Sequence, residues 1–124
     1  MILVDTSIWI EFFRGKEPFF SKLTALIEAS EVIAHEVVFG EILQGCKNKN
    51  ELDFVLDFWK NLNNVFSNGV FIKAGSLSFE KKHFEFGIGI IDSILIYEAK
   101  MRNLKLWTLD KKIIKVLEMQ YIYQ

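Results

Sequence analysis

Cysteine, histidine, proline and long apolar runs are all scarce in this chain. A single cysteine, Cys46, excludes an internal disulfide framework and a cysteine-rich zinc site, and it fits a reducing cytoplasm. The two histidines, His35 and His83, are far apart and without ligand spacing, so they read as packing or capping residues. Charges interrupt every apolar run well short of the roughly 18–20 residues that span a bilayer, and no membrane association is expected. No basic segment precedes the first apolar run, which argues against a signal peptide. An excess of positive charge is also missing. Fifteen Lys and Arg stand against sixteen Asp and Glu, which excludes a general nucleic-acid binder. Setting four acids aside as cation ligands would leave fifteen positive charges against twelve negative.

What is present suffices for one core. Hydrophobic residues make up 51 % of 124, and no linker, repeat or low-complexity tract divides them, so residues 1–124 read as a single domain. Twelve phenylalanines supply core and, in part, an interface. "ILVDTS" reads as a buried strand ending in a turn, with Thr6 or Ser7 capping a short helix that Gly15 closes. Pro18 opens a second helix, "EVIAH" is a strand, and "EVVFGEILQG" is a helix. "KNELDFVLDFWKNLN" is amphipathic, with Leu52, Val55, Leu56 and Trp59 at helical spacing. "NVF" is a weak strand, and "GSLSFEKKHFEFG" reads as a helix with Phe79, His83 and Phe86 on one face. The helix "DSILIYEAKMRN", the strand "LKLWTL", the helix "KKIIKVLEM" and a final strand "YIY" follow. Strands alternating with helices predict an α/β fold: a three-layer α/β/α sandwich around a parallel sheet of about four to five short strands.

In such sheets ligands gather beyond the carboxyl ends of the strands. Asp5 and Asp110 fall at strand ends, Asp92 opens a helix after "FGIGII", and Glu41 lies on the "EVVFGEILQG" helix. Each acid also has a plain structural reading. Asp5, Asp92 and Asp110 are placed to cap helices, and a lone helix glutamate such as Glu41 is ordinarily solvated. The joint pattern points further. Clustered buried carboxylates repel unless they share protons or a cation holds them ionised. With no His or Cys set to hand, that cation is hard, Mg²⁺ with Mn²⁺ as a substitute. Such an ion acidifies a water and offsets charge on a phosphodiester's leaving oxygen, with Thr6, Ser7 or Thr108 orienting the site.

Other motifs are weaker. "GIGIID" begins like a dinucleotide-binding loop but ends in Asp92 and opens no long β-α-β unit. Cys46 lacks a histidine partner. The basic pairs Lys81/Lys82 and Lys111/Lys112 are solvated faces or contacts for a backbone phosphate.

Taken together, "LVDTSIWIEFFRG", "AHEVVFGEILQG", "GIGIIDSILIYEA" and "LKLWTLDKKI" resemble the PIN domain, specifically the VapC-type toxins of bacterial toxin–antitoxin pairs. The resemblance places the family's metal-binding acids on Asp5, Glu41, Asp92 and Asp110, with Thr6 and Thr108 on supporting polar positions. It implies a cytoplasmic Mg²⁺-dependent endoribonuclease that leaves 5′-phosphate and 3′-hydroxyl ends on tRNA, rRNA or mRNA. It further implies a homodimer and a cognate antitoxin that blocks the acidic pocket. His35 and Val38 stand where many relatives carry Ser and Thr. Two other classes fit less of the pattern. With Asp5 as phospho-acceptor, a receiver would want an acidic pair on the first strand and a lysine after a late strand. A haloacid dehalogenase would want a second Asp where Ser7 stands, and neither pattern is met. A catalytically silent PIN-like binding module would not need all four acids.

Overall fold

Residue 5 comes just after the first strand, and what positions it follows from how four short strands order themselves. The computed structural model describes residues 1–124. Strands β1 (Ile2–Val4), β2 (Val32–His35), β3 (Asn64–Val65) and β4 (Lys105–Trp107) form one sheet in the order β3-β2-β1-β4. All the pairings are parallel. The chain steps outward from β1 to β2 to β3, then returns to place β4 on the other side of β1. That reversal makes the carboxyl end of β1 the topological switch point, where a crevice opens between diverging connections.

Helices α1 (Thr6–Phe13) and α2 (Phe19–Glu28) connect β1 to β2, and α3 (Glu36–Gln44) and α4 (Lys49–Lys60) connect β2 to β3. Helices α5 (Val70–Lys81) and α6 (Ile90–Arg102) pack on each other and lead to β4, after which α7 (Lys111–Val116) follows. The result is the expected three-layer α/β/α arrangement. Strands buried on both faces need apolar residues throughout, and Leu3, Val4, Ala34 and Leu106 are fully enclosed. No helix is long and apolar enough to cross a membrane.

One aromatic cluster dominates the core. The Trp9 ring lies 5.1 Å from Phe39, 5.6 Å from Phe12, 5.7 Å from Phe13 and 5.9 Å from Phe58, tying α1 to α3 and α4. Its indole N–H is buried without a partner. Trp9→Ala should therefore cost about 3–5 kcal/mol in urea unfolding. Trp9→Phe, which deletes the unpaired N–H with the least lost volume, should cost far less.

Three local expectations are corrected. Of the caps offered for α1, Asp5 takes the position and Thr6 and Ser7 do not: its Oδ1 accepts the Thr6 N–H at 2.7 Å. The helix predicted through Phe86 stops at Lys81, because Lys82 takes a left-handed φ of 57° and His83–Phe86 form a 3₁₀ turn. With the helix broken, Phe79, His83 and Phe86 no longer share a face. His83 is buried, while Phe79 and Phe86 are exposed. The closing "YIY" is not a strand: Tyr121 ends a 3₁₀ turn over Met119–Tyr121, and only Ile122 bridges to Leu106. The sheet thus has four strands.

Candidate active site

The backbone ladder between β1 and β4 runs one residue past β1. Asp5 N–H donates to the Trp107 carbonyl at 3.0 Å, which sets the Asp5 side chain beside Thr108. Its carboxylate is fully engaged. Oδ1 accepts from Thr6 N–H, and Oδ2 accepts from the Ser7 hydroxyl at 3.1 Å and the Thr108 hydroxyl at 2.6 Å. The same hydroxyls accept backbone N–H groups, Ser7 from Leu109 and Thr108 from Asp110. Ser7 and Thr108 thereby clamp the β4–α7 turn to Asp5. This cradle explains how a carboxylate only 6 % exposed is tolerated between apolar segments.

The other acids reach the same crevice from separate elements. Asp110 caps α7, its Oδ1 accepting from Lys112 N–H at 2.8 Å. Glu41, one turn and a half into α3, accepts the Thr6 hydroxyl at 2.8 Å. Asp92 lies in the first turn of α6, three residues after the cap position, which Gly89 takes. Its capping reading is therefore set aside. Burial raises the Asp92 carboxyl, and the charges of Asp5, Asp110 and Glu41 raise it further, to about 6, while Lys112 opposes them. All four acids thus share one electrostatic neighbourhood, with Asp92 bearing the repulsion.

Gly87 lies beside the opposing cation, Lys112. Its φ of 75° is strained for any side chain, and a Cβ there would sit 3.5 Å from the Lys112 Nζ and Cδ. The Lys112 side chain therefore lies over the Gly87 backbone on its way to the site. Of the basic pair Lys111/Lys112, Lys112 is the one that acts on Asp92.

No three His, Cys, Asp or Glu side chains are drawn together tightly enough to hold an ion unaided. The residues nevertheless fit a hard divalent cation. Every donor is a carboxylate or hydroxyl oxygen, and Asp92, raised first by burial, is raised further by the charges of three neighbouring acids. The profile of the PIN domain family matches residues 2–118.

This chain belongs to the PIN domain family. Ribonuclease VapC32 of Mycobacterium tuberculosis is 32 % identical over 117 residues, covering 91 % of this chain and 87 % of that protein. Among solved structures, VapBC2 from Rickettsia felis, bound to a promoter DNA fragment, superposes with a TM-score of 0.76. It is 21 % identical and spans 100 % of this chain and 98 % of that one. A toxin–antitoxin complex from Klebsiella pneumoniae superposes with a TM-score of 0.74 at 20 % identity, over 99 % of this PIN domain and 100 % of that chain. At those identities the structures show the fold.

Two buried polar groups escaped the sequence reading. Glu98 of α6 is fully enclosed and bonds to His35, Ser67 and Arg102. A legible trace existed: Glu98 shares the apolar phase of Ile94 and Leu95, with Arg102 at i+4 to pair it. Ser93, beside Asp92, bonds the buried His83 ring at 3.0 Å, which pins the 3₁₀ turn to α6. Burial, with Lys100 and Lys81 nearby, keeps that ring's pKa below the usual histidine range. The Ser93–His83 contact has no local sequence signature, since its partners come from different elements. His35 and His83 do act as capping and packing residues, as their isolation in sequence implied.

Proposed function

We propose that this PIN domain is a Mg²⁺-dependent endoribonuclease toxin, with Mn²⁺ as a substitute, that a cognate antitoxin neutralises. The observation that carries the reading is the raised Asp92, whose displacement has Asp5, Asp110 and Glu41 among its causes. Acids that burden one another at a switch point are costly to keep unless a cation relieves them. Asp5, Glu41, Asp92 and Asp110 would hold the ion. Bound there, it would supply the Lewis acidity that ionises a water and offsets charge on the leaving oxygen.

The chain's own groups prepare that chemistry. Ser7 and Thr108 fix the Asp5 carboxylate by donating to Oδ2, and Thr6 does the same for Glu41. Lys112 brings positive charge to the rim, where an RNA phosphate would approach. The ribonuclease name of the Mycobacterium relative supports RNA as substrate. The toxin–antitoxin titles of the structural neighbours support a protein partner. Exposed Phe71, Phe79 and Phe84 offer apolar surface of the kind an antitoxin or a second copy in a homodimer covers.

The decisive experiment incubates purified chain with structured RNA and Mg²⁺ or Mn²⁺ and characterises the new ends. Attack by water leaves ligatable 5′-phosphates and 3′-hydroxyls, and EDTA stops the reaction. Ends bearing 2′,3′-cyclic phosphate, or cleavage that persists in EDTA, would exclude the mechanism.

A further inference from the structure

β2 ends at His35, one strand over from the crevice, and the ring faces two ways. Its Nδ1 accepts the Val37 N–H at 3.2 Å, which caps α3. A nitrogen that accepts a backbone N–H carries no proton, so the ring's hydrogen sits on Nε2. Nε2 lies 3.0 Å from Glu98 Oε2 and donates to it. Both side chains are buried, at 3 % and 0 % exposure, where a hydrogen bond is stronger and more directional than in water.

The two oxygens of Glu98 do separate work. Oε1 accepts from the Ser67 hydroxyl at 2.6 Å and from Arg102 Nε at 3.4 Å, while Arg102 Nη2 donates to the Phe66 carbonyl at 2.9 Å. That side compensates the carboxylate and holds the segment after β3. Oε2 serves only His35. The His35–Glu98 bond therefore joins the start of α3 to the middle of α6. Six residues beyond His35 lies Glu41, and six residues before Glu98 lies Asp92.

We propose that His35 and Glu98 are positioning residues, a buried strut that sets the spacing between the Glu41 and Asp92 carboxylates and so tunes the site's affinity for a divalent ion. This rests on the metal reading above. Ligand-orienting partners of this kind are worth about 10–100-fold in metal affinity.

The two ring nitrogens can be tested apart. Asparagine presents its amide oxygen near the place of Nδ1, so His35→Asn keeps the α3 cap and loses the strut. Glutamine reaches the place of Nε2, so His35→Gln keeps the strut and loses the cap. Mn²⁺ binding to the metal-free full chain, read by electron paramagnetic resonance without RNA, should weaken about tenfold in His35→Asn. It should stay within about threefold in His35→Gln, although that variant melts lower for want of its cap. Equal losses in both, or none in His35→Asn, would overturn the strut. If His35→Asn does not fold, the glutamine variant decides alone: retained binding supports the strut and lost binding defeats it. A wild-type chain that binds no Mn²⁺, or binds it unchanged after Asp92→Asn, would instead defeat the metal reading, and the strut with it.

Discussion

Asp5→Asn should lower RNA cleavage by more than about a hundredfold while leaving a folded chain, since even partners outside a metal's own ligand set are worth about 10–100-fold. The structure separates the two roles of this side chain. Its Oδ1 caps α1, and asparagine caps as well as aspartate. Its Oδ2 collects the Ser7 and Thr108 hydroxyls, and an amide there would meet donors where it offers one. Both hydroxyls have a spare lone pair after accepting Leu109 and Asp110 N–H, so they can turn and accept the amide. The rearrangement costs about 1 kcal/mol, the net worth of an ordinary hydrogen bond. Urea unfolding should show that small loss, and a gel assay with Mg²⁺ should show almost no product. Cleavage near the wild-type rate in the asparagine variant would remove Asp5 from the chemistry.

Asp92→Asn carries the second large effect, and it reverses with metal. In the unfolded chain this carboxyl titrates near 3.8, and in the fold near 6. A raised carboxyl means the folded state binds its proton more tightly than the unfolded state does. Wild-type stability therefore falls as pH rises from about 4 through 6, and the cost is complete above that range. The full displacement corresponds to about 3 kcal/mol, and solvent on the open side of Asp92 reduces it to about 1–2 kcal/mol. Without metal at pH 7.5, Asp92→Asn should thus be the more stable protein by about 1–2 kcal/mol. The advantage should shrink through pH 6 and vanish below about pH 4. Mn²⁺ at a hundred times its dissociation constant should stabilise the wild type by about 2.7 kcal/mol and the variant far less, so the order inverts. Calorimetry at two pH values with and without Mn²⁺ reads all four states. An asparagine variant that is less stable without metal at pH 7.5 would show that Asp92 is not under the repulsion described.

These expectations show which parts of the molecule were legible from residues alone. Asp5 and Asp110 come just after short apolar strands, and strand ends in parallel sheets face one edge. Their placement at the crevice side was therefore a local inference. The cap at Asp5 was harder, because Asp, Thr and Ser are all good caps and stand side by side. The break at Lys82 was hidden, since aromatic spacing continued across it and a lysine with positive φ leaves no mark in composition. Glu98 looked like any helix glutamate until His35, 63 residues earlier, closed on it.

Local pattern alone determined the alternation of strand and helix, the single core and the positions of the acids at element ends, because periodicity and capping act over a few residues. Tertiary structure decided the order β3-β2-β1-β4, which sets residue 5 beside residues 108–110, and the pairing of His35 with Glu98. Strand order depends on which faces bury which others once the chain has collapsed. No stretch of neighbouring residues encodes that choice.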